Sequence, residues 1–522
     1  MEAGYEESNI TNIGIKSVNV TSFVIFGKIF AIIVSGITFL IVARLLGPSN
    51  YGIYILALAA AGLFGSFSQL NIGAYFNKNI PHLLLTGKRD EIALSLGNGF
   101  VLLGIFSIAV VIIGVALSSP IATYIFHNSS ATDSVALAMF TIIFSLVYTT
   151  AYSILISFND GKRLMFLSVT NNSMQSAFTI SLVLLGFGVF GAISGLIIGL
   201  FAAMLLSLFY IEKRSKIAFS LDEFRRGYRK LLSFSVPLTG AGIIGSLLGN
   251  FAVVFLGAVA TPVIIGSYGV ASKIGALIDI LTGSIGVVLV PTFSTTLAHI
   301  NIKNKIGKVF NYSVYFGLLF AMPIIMYLVA FSNILIPILF TSSYSDASLY
   351  MALISIGILI GIVGAYSSSL MVSYGKLKEL FKYTAISCAI QLVFILLLVP
   401  KFYAVGLILA TFILGSIVSD YLLISYMRKS LGIRLGYNIA RLIAVNFVLF
   451  AIFVPVVISG IGGIPKLAIG IVLLLFVYPA LLGSMRAISH YEISVLNNLS
   501  SGIPVFGTWL KAILAYASMF AK

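Results

Sequence analysis

Apolar runs about as long as a bilayer is thick recur along the whole chain, separated by short polar stretches. A helix that crosses about 30 Å of hydrocarbon needs about 20 mostly apolar residues. That window predicts spans at 17–42, 51–76, 92–117, 135–158, 165–185, 189–210, 232–256, 267–291, 311–331, 347–372, 380–399, 404–426, 439–458 and 467–486. The expected fold class is an all-α polytopic membrane protein of about fourteen transmembrane helices. Residues 503–521 are also apolar, but Pro504, Trp509 and Lys511 interrupt them. That segment is expected to lie in the interface as an amphipathic helix.

Composition agrees with the pattern. Of 522 residues, 60% are hydrophobic and 9% charged, whereas a soluble domain carries about a quarter charged residues. The single cysteine, Cys388, excludes a disulfide framework or a cysteine-rich metal site. The acidic start, Met1-Glu2-Ala3-Gly4-Tyr5-Glu6-Glu7, has no basic region and apolar core of a cleavable signal. Insertion is therefore expected through the first span.

The net charge of +16 would suit nucleic acid, but its placement argues otherwise. With the N-terminus cytoplasmic, Arg44, Lys401 and Lys466 fall in outer loops, and Lys28 and Lys273 fall within spans. The other 26 of the 31 basic residues fall in inner loops and tails. This alternation follows the positive-inside rule. It predicts a multi-pass plasma-membrane protein with a cytoplasmic N-terminus and no nucleic-acid partner.

The most charged loop separates six spans from the rest. The expected layout is a cytoplasmic tail (1–16), an N-lobe (17–210), a basic cytoplasmic linker (211–231) and a C-lobe (232–426). Two further spans (427–486) and an interfacial tail (487–522) complete it. Landmarks recur between the halves. Asn50-Tyr51-Gly52 matches Ser267-Tyr268-Gly269, and Gly87-Lys88 matches Asn304-Lys305, both at an offset of 217 residues. Gly161-Lys162 matches Gly375-Lys376 at 214. Six spans per half give both halves the same orientation, a parallel repeat of the kind that transporters use with the substrate site between repeats.

The stretch Ala43-Arg44-Leu45-Leu46-Gly47-Pro48-Ser49-Asn50-Tyr51-Gly52-Ile53-Tyr54 resembles the first outer loop of the Wzx-type oligosaccharide flippases. These belong to the multidrug/oligosaccharidyl-lipid/polysaccharide (MOP) exporter superfamily. Leu70-Asn71-Ile72-Gly73 is similar to the family stretch that closes the second span, with Gln69 and Asn71 where an acidic residue and a glycine are common. The resemblance implies two six-helix lobes around a central cavity, plus two extra helices. It also implies a polyprenyl-(pyro)phosphate-linked oligosaccharide as substrate, its sugar passing through the cavity while the tail stays in membrane lipid. Gly47-Pro48 has a plain structural role as well, since it must break the helix.

Ionisable residues within spans are the candidates for function, because a charge at the bilayer centre costs about 2.5–3.5 kcal/mol. Lys28, after Gly27 in the first span, is the candidate cation for the lipid phosphate, or else one half of a structural ion pair. Lys273 could bind substrate or snorkel outward. Asp279 is the candidate ion-coupling residue, for H+ or Na+, or else a lysine's fixed partner. Asp420 is expected in a salt bridge near Arg428 and Lys429. Among amides, Asn171 and Gln175 share a helix face by their spacing of four, and Asn250 joins them as a candidate sugar contact. Amides both donate and accept, but they also glue membrane helices together.

No catalytic residue, metal site or cofactor is expected, and the chain is expected to act as a monomer. The outer loops are short, the longest being 118–134, and their carboxylates are only Asp133 and Asp346. They cannot assemble the paired carboxylates that a polymerase or ligase would use with a metal. No Gly-Lys pair is followed by Ser or Thr, as a phosphate-binding loop requires. The rival within transport is a multidrug or organic-cation exporter of the same superfamily. Its usual twelve spans and acidic binding residues fit this chain less well.

Overall fold

A computed structural model describes residues 2–68, 70–279, 303–433, 438–489 and 492–494, with 515–516 and 518–519. The segment 503–521 thus falls almost wholly outside the described residues, as does Gln69. The helices are α1 (Glu2–Ser68), α2 (Ile72–Leu85), α3 (Arg89–Ala116), α4 (Thr132–Ser157), α5 (Gly161–Leu182), α6 (Gly188–Ser215) and α7 (Leu221–Val259). They continue with α8 (262–279), then α9 (Lys303–Phe340), α10 (Asp346–Ser373), α11 (Leu377–Ile408), α12 (Gly415–Tyr426), α13 (Asn438–Ile458) and α14 (Gly463–Ser484). No strand occurs among the described residues.

Nine stretches among the described residues are long and apolar enough to cross a bilayer. Three of them, Phe26–Ser68, Gly161–Ser215 and Leu377–Leu431, break internally, at Gly47, Gly186 and Tyr403. Each therefore counts as two, which gives twelve, and the apolar part of α7 (Ile243–Val259) with α8 brings the total to fourteen. The breaks have local causes. Gly47 takes φ 68°, open to glycine at little cost, and Pro48 then starts the second span where its missing N–H is harmless. Tyr403 reaches φ 49° three residues after Pro400. One span differs from the expected 51–76: its helix ends at Ser68, Asn71 turns left-handed at φ 44°, and α2 starts afresh at Ile72.

The chain gathers into two compact units, Met1–Gly266 and Ser267–Lys522. In the first, α5 and α6 approach along a glycine seam. A methyl on Gly195 or Gly199 would strike α5 at Thr179 or Gln175. Small residues of this kind let membrane helices come close enough for dispersion and hydrogen bonds to hold them. Thr38 of α1 donates to Ser176 of α5 at 2.6 Å. The core beneath this unit centres on Ile72, Phe76, Leu96, Ile154 and Leu164. The basic segment expected as a linker is helical from Leu221 onward, with Asp222 near that helix start where the dipole favours a carboxylate. Before it, the Ala218 N–H donates to the Ala93 carbonyl at 3.2 Å and docks the segment on α3.

The second unit packs α9, α10, α13 and α14 around Phe310, Phe331, Tyr366 and Phe453. Tyrosines fasten the last span, α14, to α9. Tyr478 donates to the Leu319 carbonyl at 2.7 Å, and Tyr327 to the Leu467 carbonyl at 3.2 Å. Away from these cores Ile112, Leu185, Leu397 and Phe476 are exposed, as lipid-facing side chains should be.

Among the described residues, short elements recur between the halves. A short 3-10 turn precedes α4 (Ser129–Ala131) and α10 (Ser342–Tyr344). A left-handed residue, Asn159 or Gly375, stands before α5 or α11. The repeat register also follows from a reciprocal contact within the first unit. A methyl on Gly52 would strike the Pro262 carbonyl, and one on Gly266 would strike the Pro48 carbonyl. Pro48 thus matches Pro262 and Gly52 matches Gly266, both at an offset of 214. The equivalent of Tyr268 is then Tyr54 rather than Tyr51. The sequence reading slipped by three residues because Tyr-Gly occurs nearby in both halves.

Candidate functional site

The first cavity lies where the second span breaks. It encloses about 340 Å³, lined by Leu70, Asn71, Ile72 and Gly73 of the break and by Leu103 of α3. Leu146, Thr149, Thr150 and Ser153 of α4 and Ile243 of α7 close it. The left-handed Asn71 shapes this site, because it separates the preceding helix from α2, whose first residues Ile72 and Gly73 line the cavity. Gly73 lets α2 approach α4: a methyl there would lie 2.7 Å from the Ser153 hydroxyl oxygen. Thr149 donates back to the Ser145 carbonyl at 2.8 Å, a common way to satisfy a hydroxyl in a membrane helix.

The second cavity belongs to the second unit and encloses about 310 Å³. Ser272, Gly275, Ala276 and Asp279 of α8 form one wall, and Gly357, Gly361 and Tyr366 of α10 another. Phe412 and Ser416 complete it. Asp279 is exposed there, one and a half turns along α8 from Lys273, which is also exposed. The cavity exists because α10 presents small residues to the helix that follows Tyr403. A methyl on Gly357 or Gly361 would meet Phe412 or Ser416.

Asp420 lies one turn beyond Ser416 and is buried, its carboxylate oxygen against Gly364. No salt bridge joins it to Arg428 or Lys429, which are exposed. The expected inner-end pair is therefore absent among the described residues. Helical phase explains it, because Asp420 points into the seam with α10 while the basic pair projects outward.

Lys28 is exposed on α1, and no ion pair among the described residues involves it. Its neighbour Gly27 sits against α5, where a methyl would lie 3.1 Å from the Met165 Cα. The Ser168 hydroxyl donates to the Gly27 carbonyl at 3.3 Å, which pins this turn of α1. Asn171 and Gln175 do share a face. The Gln175 side-chain amide donates to the Asn171 side-chain Oδ1 at 2.9 Å, and Gln175 packs on Gly199 of α6. Asn250 donates to the Ser246 carbonyl at 2.9 Å and lies against Gly62 of the second span. Ser246 and Ser66 share a hydrogen bond of 2.8 Å beside it. The amides thus bond within their own helices while Gln175 and Asn250 pack against glycines of the neighbouring helices.

Thr149, Thr150 and Ser153 were not singled out from the sequence. Hydroxyls at 149 and 153, four apart on one helix face, were the available sign. Among the described residues no group of three or more His, Cys, Asp or Glu could hold a metal.

The sequence profile of the family described as "Polysaccharide biosynthesis protein" matches residues 41–349. Among solved structures, a lipid II flippase MurJ in an inward closed conformation superposes with a TM-score of 0.71 at 16% identity. The match covers 89% of this chain and 98% of that one. An inward-facing multidrug resistance MATE family transporter of the MOP superfamily follows at 0.60 and 14%, covering 78% and 98%. A MOP superfamily transporter from Pyrococcus furiosus reaches 0.54 and 14%, covering 80% and 96%. At these identities the likeness is one of fold. No curated protein matches the chain.

Proposed function

Because the chain belongs to the polysaccharide biosynthesis protein family, we propose that it flips a polyprenyl-(pyro)phosphate-linked oligosaccharide from the cytoplasmic to the outer leaflet. The product feeds surface polysaccharide or glycoprotein synthesis, and the membrane is the plasma membrane, with the N-terminus cytoplasmic. The observation that carries this reading is the family match joined to a fold shared, over 89% of this chain, with a lipid II flippase. Alternating exposure of the glycan site to the two sides is the mechanism, and the lobes 17–210 and 232–426 are its moving parts. Lys28 supplies positive charge to the phosphate. The Lys28 side chain is exposed and unpaired among the described residues, so it can meet a ligand without first breaking an ion pair. Asp279, in the cavity of the second unit, takes the coupling H+ or Na+. Lys273, in the second unit, is a further substrate-binding cation. Asn171, Gln175 and Asn250 contact substrate only where the seams that hold them open.

An acid-lined cavity in the second unit favours one alternative, export of an organic cation, as the MATE fold neighbours would suggest. Deletion separates the two. Under the flippase reading, lipid-linked glycan accumulates in the cytoplasmic leaflet. A deletion that changes only drug sensitivity would overturn it.

A further inference from the structure

Hydrogen-bond donors are in excess around the cavity at the start of α2. The N–H groups of Ile72 and Gly73 are the first two of a 14-residue helix and have no intrahelical acceptor. Asn71 does not cap them with its side chain, and no other acceptor takes them among the described residues. Both residues are buried, Ile72 with 1% exposure. Thr150 is 7% exposed and lines the same cavity. Unlike Thr149, it does not return its hydroxyl to the helix backbone, and among the described residues that hydroxyl has no partner. The Ser153 hydroxyl lies against Gly73. No carboxylate lines the space.

We propose that this cavity is an oxyanion site that takes a phosphate group. The Ile72 and Gly73 N–H groups and the Thr150 and Ser153 hydroxyls are its donors. Backbone N–H groups can only donate, and the start of a helix carries partial positive charge, so a ligand rich in acceptors fits better than a neutral one. Burial among Leu103, Leu146 and Ile243 lowers the local dielectric and strengthens these bonds. A helix start turned on an anion needs no lysine at the site, so this pocket is separate from the role given to Lys28. The volume of about 340 Å³ exceeds that of a phosphate and leaves room for an attached alkyl or sugar unit. Assignment of the phosphate to a lipid headgroup, rather than to the free anion, rests on the flippase reading.

The test uses the full chain purified in a neutral alkyl glycoside, titrated with decyl phosphate and with inorganic phosphate. Decyl phosphate should bind to the unaltered protein and to Thr150→Ser alike. It should bind about tenfold more weakly to a Thr150→Val/Ser153→Ala double variant of unchanged melting temperature, as the loss of two hydrogen bonds implies. Inorganic phosphate that binds as tightly, with the same dependence on Thr150, supports the oxyanion site and assigns it to the free anion. Equal binding of decyl phosphate to the double variant and the unaltered protein would overturn the site. So would an unaltered protein that does not bind decyl phosphate above the glycoside background. A protein that binds in the expected way yet moves no lipid-linked glycan keeps the site and loses the flippase reading.

Discussion

Gly52 and Gly266 mark the tightest backbone approaches at the start of the second and eighth spans. Each faces the carbonyl of the proline that opens the other helix. Gly52→Ala should therefore lower stability by about 1–3 kcal/mol, the usual cost of overpacking. Gly36→Ala, where nothing lies within 4 Å, should leave the melting temperature unchanged or raise it. Equal melting curves for the two variants in detergent would remove the proposed contact. At Lys28 the expectation concerns transport: Lys28→Ala should abolish most glycan movement and Lys28→Arg should retain it. Full transport by both would take Lys28 out of the site. Residue identity was only partly legible in the sequence. The spacing of Asn171 and Gln175 foretold their shared face, because a helix fixes which residues lie together. Nothing local could place Gly62 and Ser66 against Asn250 and Ser246, since those contacts join separate spans. Thr150 escaped notice because one hydroxyl in an apolar helix normally bonds its own backbone.

Elements were far more legible than sites. Length and hydropathy alone define a membrane helix, so fourteen spans could be counted before any packing was known. The breaks were harder. Gly47-Pro48 was visible as a breaker, whereas the left-handed Asn71 was not, because an amide inside an apolar run reads equally as a helix-to-helix contact. The last two spans give an element-scale test. Tyr478→Phe removes the bond to the Leu319 carbonyl and keeps the ring packing, so it should cost about 1 kcal/mol of stability. Gly195→Val should do more, because its methyls would drive α6 away from the α5 backbone at Thr179. Folded yield by size-exclusion chromatography should drop sharply for Gly195→Val and little for Tyr478→Phe. The reverse order would mean that hydrogen bonds, rather than close helix contact, hold these seams.

For the whole molecule, the described spans give a fold that this chain, a member of the polysaccharide biosynthesis protein family, shares with a lipid II flippase and a MATE transporter. The chain's few intramembrane charges are spread over both units, with Lys273 as well as Asp279 in the second. Lys28 belongs to the first and the Asp279 cavity to the second. A transporter that moves a phosphate-bearing lipid under ionic control needs both kinds of group, and the proposed oxyanion pocket supplies directional donors that neither cation offers. The most direct measurement is leaflet exchange. The purified protein is placed in liposomes with a polyprenyl-diphosphate oligosaccharide in both leaflets, and the glycan on the outside is trimmed by an impermeant glycosidase. With the protein present, trimming should proceed past the outer-leaflet half toward completion, and Lys28→Ala should slow it. Trimming that stops at the same half as in protein-free liposomes, under either sign of an imposed H+ or Na+ gradient, would contradict the flippase account.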